Sequence, residues 1–65
     1  MDIMLNGESR SVACRTVTEL LELLGIDPRR VAVELNMEIL PKADYGTRAL
    51  SNGDRIEIVH FVGGG

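Results

Sequence analysis

The fold is decided by the stretch Thr16-Val17-Thr18-Glu19-Leu20-Leu21-Glu22-Leu23-Leu24-Gly25-Ile26. It holds the only apolar residues of the chain that recur at the spacing of one helix face, namely Val17, Leu20, Leu21 and Leu24. Thr16, followed three residues later by Glu19, has the form of a capping box. Gly25 is the residue expected just after the last turn of a helix. These signals predict one amphipathic helix that begins after Thr16 and ends before Gly25.

Extended segments are predicted on both sides of this helix. Asn6-Gly7 is a typical two-residue hairpin turn, and Asn36-Met37 separates a second pair of extended segments, which Pro41 ends. Residues 8–12 are polar and are expected at an edge of the sheet. The turn cluster Ser51-Asn52-Gly53-Asp54 precedes the last strand. The predicted strands are residues 1–5, 8–12, 31–35, 38–40 and 55–61.

The order of these elements indicates the fold class. Residues 42–50 are predicted to form a loop with one helical turn near Asp44 and Tyr45. A single amphipathic helix must cover one face of one sheet, and the first and last strands can then lie side by side, parallel, at its centre. We therefore predict an α+β protein of the β-grasp (ubiquitin-like) type, with a mixed sheet of about five strands and one main helix on one face. A simple α+β meander is the weaker alternative.

Size and cysteine content limit what the chain can be. Its 65 residues suffice for one domain and lie near the lower limit for a core without covalent staples. The single cysteine, Cys14, is typical of a protein in a reducing cytoplasm. We expect Cys14 to be a small buried or turn-facing side chain. No cluster of His and Cys residues indicates a metal site.

Charge and hydropathy argue against two classes of partner. The net charge is −3 and no basic stripe occurs, which argues against binding to nucleic acid. No segment reaches the length of a membrane span, and residues 1–5 lack the basic region and long apolar run of a signal peptide. We expect a cytoplasmic protein that is monomeric when free.

The chain ends in Gly63-Gly64-Gly65, and we expect this run to be functional. Glycine has no Cβ, so such a segment can enter a narrow channel in extended form. Each extended residue spans about 3.3–3.6 Å, so residues 62–65 can carry the carboxylate on the order of 13 Å beyond the last strand. The predicted organisation is a domain of residues 1–61 and a flexible reactive tail of residues 62–65. The alternative is a frayed end without a role.

An exposed apolar patch is predicted at the base of this tail. Strand alternation turns Ile56 and Ile58 towards the core and turns Val59 and Phe61 the other way. Met4 joins that second face if the first strand pairs beside the last. An apolar patch on so small a protein indicates a docking site. The alternative is that Phe61 folds back over the sheet edge and belongs to the core.

Three segments carry a resemblance that covers essentially the whole chain: Val31-Ala32-Val33-Glu34-Leu35-Asn36, Ile39-Leu40-Pro41-Lys42, and Asn52-Gly53-Asp54-Arg55-Ile56-Glu57-Ile58-Val59-His60-Phe61-Val62-Gly63-Gly64-Gly65. Together they resemble the ThiS family, the sulfur carrier proteins of thiamine biosynthesis. The Gly-Asp turn and the terminal Gly-Gly also occur in the small subunit of molybdopterin synthase. Met37 departs from the family, which often has glycine after Asn36. A type I′ turn at Asn36-Met37 would require a positive φ at Met37, which is unfavourable for a residue with a side chain.

The resemblance implies a protein co-substrate, a sulfur carrier that is not an enzyme. It implies that an E1-like adenylyltransferase adenylates Gly65 with ATP and magnesium, so that this chain itself holds no cofactor. A sulfur donor, such as a cysteine desulfurase, then displaces AMP and leaves a thiocarboxylate, which is delivered to the thiazole synthase. Gly65 is the reacting residue, Gly64 allows a close backbone approach, and Gly63 and Val62 add reach.

Other functions stay open on the sequence alone. The chain can be a ubiquitin-like modifier that forms isopeptide bonds through Gly65, or the small subunit of a molybdopterin-synthase-like enzyme. It can also be a passive β-grasp interaction module with an incidental tail. No nucleophile and base can be paired in the sequence, and the glycine run is not a phosphate loop, because no helix follows it to point amides at an anion.

Overall fold

The computed structural model describes residues 1–62. Within this range the strands are β1 (Asp2–Leu5), β2 (Glu8–Ser11), β3 (Val31–Leu35), β4 (Glu38–Ile39) and β5 (Arg55–His60). The helix α1 spans Val17–Leu24, and two short 3₁₀ turns span Pro28–Arg30 and Lys42–Asp44. β2, β4 and β5 each end one residue before their predicted ends, and the single helical turn after Pro41 lies where it was predicted.

The five strands form one mixed sheet in the order β2-β1-β5-β3-β4. β1 and β5 are parallel, with Leu5 opposite Ile56, whereas every other neighbouring pair is antiparallel. The first and last strands of the chain therefore lie side by side, which excludes a simple meander. The predicted β-grasp, a mixed five-stranded sheet with one helix on one face, is confirmed.

Local side-chain and backbone hydrogen bonds fix both ends of α1. The Thr16 hydroxyl accepts the Glu19 N–H at 3.2 Å, as predicted for a capping box, but the Glu19 carboxylate accepts the N–H of Arg15 at 2.7 Å. At the other end Gly25 has a φ of 71°, and the Ile26 N–H donates to the Leu21 carbonyl at 2.9 Å. This is the bonding pattern of a Schellman ending, so both boundaries of the helix follow from its local sequence.

The core lies between α1 and one face of the sheet. The predicted inward residues of α1, β1, β3 and β5 are buried, with two exceptions: Leu24 is only partly buried, and Met1, just before β1, is 38% exposed. The buried apolar residues are Ile3, Leu5, Val12, Cys14, Val17, Leu20, Leu21, Val31, Val33, Leu35, Leu40, Tyr45, Leu50, Ile56 and Ile58. Leu24 and Ile26 pack against this cluster and are partly buried.

The segment between β4 and β5 completes the core, which the sequence did not reveal. Tyr45 and Leu50 are buried, although no periodicity marks either of them. The Tyr45 carbonyl accepts the N–H of Thr18 at 2.9 Å, and the Leu50 N–H donates to the Arg15 carbonyl at 2.7 Å. These bonds tie the segment to the start of α1, so it closes one end of the domain.

Both hairpin turns place their two central residues at positive φ. The values are 48° and 82° for Asn6 and Gly7, and 52° and 73° for Asn36 and Met37. Positive φ at both positions is the requirement of a type I′ turn. Met37 therefore adopts a backbone conformation that L side chains rarely take.

Candidate functional site

The two faces of β5 differ sharply in burial. Ile56 and Ile58 point into the core and are 0% and 7% exposed, whereas Val59 is 52% exposed. Phe61, just beyond the strand, is 59% exposed. Phe61 is therefore not part of the core, and the alternative in which it folds back over the sheet edge is excluded. An exposed apolar pair lies at the carboxyl end of β5, on the side predicted from strand alternation.

The sheet face opposite α1, which we call the open face, carries this pair. Cross-strand register assigns its other members: Ala32 lies opposite Val59, Met4 opposite Arg55, and Glu34 opposite both Glu57 and Ile39. Met4 and Ala32 are partly buried. The open face thus comprises Met4, Ala32, Glu34, Ile39, Arg55, Glu57, Val59 and Phe61, and it brings the predicted residues Met4, Val59 and Phe61 onto one surface.

Two contacts hold Phe61 in place. Its N–H donates to the Arg30 carbonyl at 2.9 Å, which continues the pairing of β3 with β5 by one residue. The ammonium of Lys42 lies 5.5 Å from the centroid of the Phe61 ring, within the range of a cation–π interaction. Lys42 covers part of an otherwise exposed ring, and sequence reasoning did not link these two residues.

The turn that supplies Arg30 is itself held by a carboxylate. Asp27 accepts the Arg29 N–H at 2.9 Å and both the Nε and Nη2 of the Arg29 side chain, at 3.1 and 2.9 Å. These hydrogen bonds from Arg29 lower the pKa of the Asp27 carboxyl to about 2. At neutral pH the turn Pro28–Arg30 is therefore capped by the ionised Asp27 carboxylate. The carbonyl of Arg30, at the end of this turn, accepts the Phe61 N–H.

Two turn asparagines fix the backbone of β5, which sequence reasoning also missed. The Asn6 side chain accepts the Ile58 N–H at 2.7 Å and donates to the Ile58 carbonyl at 3.2 Å. The Asn36 side chain accepts the Arg55 N–H at 2.9 Å. The sequence signal for these bonds was the asparagine at the first position of each hairpin turn. Because all three bonds end on β5, they fix the register of the strand that leads into the tail.

Val62 is the last described residue, and it is 99% exposed. The predicted reactive residue Gly65, with Gly63 and Gly64, lies outside the described residues, as does most of the predicted tail 62–65. The predicted boundary after residue 61 and the roles of these glycines stay predictions. What the structure provides is the exit point, at which β5 ends beside Phe61.

Side chains that could supply other chemistry are not brought together in residues 1–62. In this range no three His, Cys, Asp or Glu side chains lie close enough to share a metal ion. Cys14 is buried as expected, and desolvation raises the pKa of its thiol, which disfavours the nucleophilic thiolate. No helix in the described part of the chain is long and apolar enough to cross a membrane.

Comparison with known proteins identifies a family. The family model described as "ThiS family" matches residues 3–65. The sulfur carrier protein ThiS of Thermus thermophilus is 38% identical over 97% of this chain and 98% of its own length. A crystal structure of the thiamine biosynthesis protein ThiS from Geobacter metallireducens covers all of both chains with a TM-score of 0.85 and 36% identity.

A second kind of relative is much longer than this chain. The thiazole synthase of Paramagnetospirillum magneticum is 52% identical over the whole of this chain. The match covers 20% of that synthase, so the chain spans about a fifth of the length of this relative. A domain similar to this one therefore occurs within a protein named for thiazole synthesis.

Proposed function

The chain belongs to the ThiS family, and we propose from this premise that it is a sulfur carrier of thiamine biosynthesis. The proposed acceptor and donor of the sulfur is the carboxylate of Gly65. The chain acts as a co-substrate, and the catalytic groups belong to its partners. The free, buried thiol of Cys14 suits work in the cytoplasm.

One observation carries this proposal. β5 runs from the centre of the sheet to Phe61, whose backbone is still paired with Arg30, and the next residue, Val62, is 99% exposed. Val62, the residue before the glycine run, therefore follows directly on a backbone position that is still paired with the sheet. A partner that binds the open face meets the start of the tail in a constant position.

The chemistry requires activation of a poor electrophile. An adenylating enzyme transfers AMP from ATP, with magnesium, to the Gly65 carboxylate and releases pyrophosphate. A sulfur donor then displaces AMP and leaves a thiocarboxylate, whose sulfur is a good nucleophile. On this proposal ATP and magnesium bind to that enzyme and not to this chain, as the family resemblance implies.

The thiazole synthase is the proposed acceptor of the sulfur. The match to a fifth of a thiazole synthase supports this choice, because a domain of this kind within a synthase keeps donor and acceptor at high effective concentration. Met4, Val59 and Phe61 are proposed to contact these partners, with Phe61 as the aromatic anchor.

The test is the intact mass of the protein isolated from its native host. We expect the mass of a chain that ends at Gly65, increased by the difference between one sulfur and one oxygen atom. Heavier species linked to lysines of other proteins would identify a protein modifier. A second assay loads the purified protein with sulfur, using the adenylating enzyme, a sulfur donor and ATP. The same mixture without ATP is the matched control.

A further inference from the structure

Two glutamates face each other at the centre of the open face. Glu34 of β3 lies directly opposite Glu57 of β5. The Asn36 N–H donates to the Arg55 carbonyl at 2.7 Å, which marks that pair as hydrogen-bonded. Hydrogen-bonded pairs alternate along antiparallel strands, so Glu34 and Glu57 form the next such pair, with Cα atoms about 5.5 Å apart. Their side chains project from the same side of the sheet.

The cations closest in sequence and register do not neutralise this pair. The Arg55 Nη1 lies 3.6 Å from the Met37 sulfur, and the Lys42 ammonium lies over the Phe61 ring. Within residues 1–62, the ion pairs all involve Asp27. Neither Glu34 nor Glu57 has a cationic partner among the described residues.

Apolar side chains flank the two carboxylates on two sides, and Arg55, two residues before Glu57 on the same face of β5, lies on a third side with its guanidinium directed to the Met37 sulfur. Ile39 lies opposite Glu34 on its other side and is 76% exposed, and the next row of the open face holds Ala32 and Val59. Like charges placed directly opposite destabilise a sheet, and nothing in the core requires this pair. A purely apolar partner covering the open face would bury two unpaired charges, which is strongly unfavourable.

We propose that the open face binds a partner protein through an arginine side chain of that partner, which the Glu34–Glu57 pair accepts within an apolar surround. The planar guanidinium has five donors and is weakly hydrated, so it can bond to two carboxylates at modest desolvation cost. The partner is the adenylating enzyme, and the inference therefore rests on the proposed function.

Charge complementarity argues against other occupants of this face. A second copy of the chain packed face to face by two-fold symmetry would bring two glutamate pairs together. Like-charge juxtaposition of that kind disfavours the complex. Anionic surfaces such as nucleic acid or acidic lipid would be repelled for the same reason. A cationic group on an otherwise apolar protein surface complements both the Glu34–Glu57 pair and the apolar residues of the open face.

The test compares Glu34→Gln, Glu57→Gln and the double variant with the parent. Affinity for the purified adenylating enzyme is measured by calorimetry without ATP, and sulfur loading of the parent is measured in parallel. Glu22→Gln is the control, because Glu22 is exposed on α1, on the other side of the sheet. Thermal unfolding of each variant reports on the fold.

We expect the double variant to bind roughly 30-fold more weakly or worse, as for loss of a charge pair that becomes buried in a complex. Its Tm should equal or exceed that of the parent, because the repulsion is removed, and Glu22→Gln should bind like the parent. The parent's affinity should also fall with added salt more steeply than that of the double variant.

Two results would overturn the inference while the parent is loaded with sulfur normally. One is a double variant that binds as tightly as the parent. The other is a concentration-dependent dimer of the parent that the double variant strengthens, which would make the open face a self-association surface. Failure of the parent to accept sulfur would instead contradict the proposed function and, with it, the assignment of this partner.

Discussion

The two faces of the sheet are built from the same strands and have opposite roles. On the helix side Ile56 and Ile58 are almost fully buried, while Val59 and Phe61 on the open face are more than half exposed. Burial of a Val, Leu, Ile or Phe side chain stabilises a fold by about 1.5–3 kcal/mol. The exposed pair contributes little of this, so its apolar surface is available for binding.

The difference shows how a domain of this size separates stability from function. Its core takes one helix and one sheet face, and the other face, which is the proposed surface for partners, stays exposed. Substitutions at neighbouring residues of β5, such as Ile58 and Val59, are therefore expected to change different quantities, stability in one case and affinity in the other. Changes on the helix side should lower the free energy of unfolding, whereas changes on the open face should lower affinity.

The largest expected effect comes from a change that touches neither face. Deleting Gly65, or adding one residue after it, should abolish sulfur acceptance, because the proposed reacting group is the Gly65 carboxylate. The fold should be unchanged, since no core residue is altered. Thiocarboxylation by mass spectrometry and circular dichroism are the measurements. Normal sulfur loading of the extended chain would contradict the role of Gly65.

Leu21→Ala tests the helix side. Leu21 is 1% exposed in the middle of α1, and a buried Leu→Ala change costs about 2–5 kcal/mol. Leu23→Ala on the same helix is the control, because Leu23 is 64% exposed and should cost less than about 0.5 kcal/mol. Urea denaturation gives both values. Equal losses in the two variants would mean that α1 does not pack as described.

Phe61→Ala tests the open face. Loss of an exposed aromatic anchor should weaken binding to the adenylating enzyme by about 2 kcal/mol or more. The free energy of unfolding should fall by less than about 1 kcal/mol, mainly through loss of the contact with Lys42. Leu23→Ala, exposed on the other side of the sheet, should bind like the parent. Unchanged affinity together with a large loss of stability would assign Phe61 to the fold.

Met37→Gly tests a position that belongs to neither face. Met37 is 74% exposed with a φ of 73°, so glycine should relieve backbone strain and raise the free energy of unfolding by roughly 1 kcal/mol. Met37→Ala removes the thioether beside Arg55 but keeps a Cβ at this φ, so it should not stabilise. A lower Tm for the glycine variant would show that the contact with Arg55 outweighs the strain.

The smallest expected effect is the pH dependence of the Asp27 cap. The pKa of this carboxyl falls from 3.8 to about 2 on folding, so the ionised form stabilises the native state above about pH 4. That contribution is lost as the pH falls towards 2. The Tm difference between the parent and Asp27→Asn should be present at pH 6 and vanish near pH 2. A difference that does not change with pH would exclude the carboxylate charge as its cause.

Local sequence predicted much of this molecule. The caps of α1, the two hairpin turns and the alternation along β5 were correct because each depends on residues a few positions apart. The parallel pairing of β1 with β5 followed from the order of the elements. Alternation along β5 placed Val59 and Phe61 on the open face, and Met4 followed from alternation together with the predicted pairing of β1 beside β5.

Contacts between distant segments were not predictable in this way. Tyr45 and Leu50 are buried because the segment after β4 folds over the start of α1, and no local pattern marks them. The bonds from Asn6 to Ile58 and the cation–π contact of Lys42 with Phe61 likewise join residues far apart in the chain. Such contacts depend on which surfaces meet after folding.

The sequence by itself determined the helix, the turns, the two-faced strands and the glycine run 63–65, since propensity, periodicity and glycine content are local properties. Only the tertiary structure decided which side chains share a surface. It placed Glu34 opposite Glu57 and Lys42 over Phe61, because cross-strand register is fixed by long-range backbone pairing and packing. The chemistry proposed for the tail therefore rests on the sequence, whereas the surface proposed for its recognition is a property of the fold.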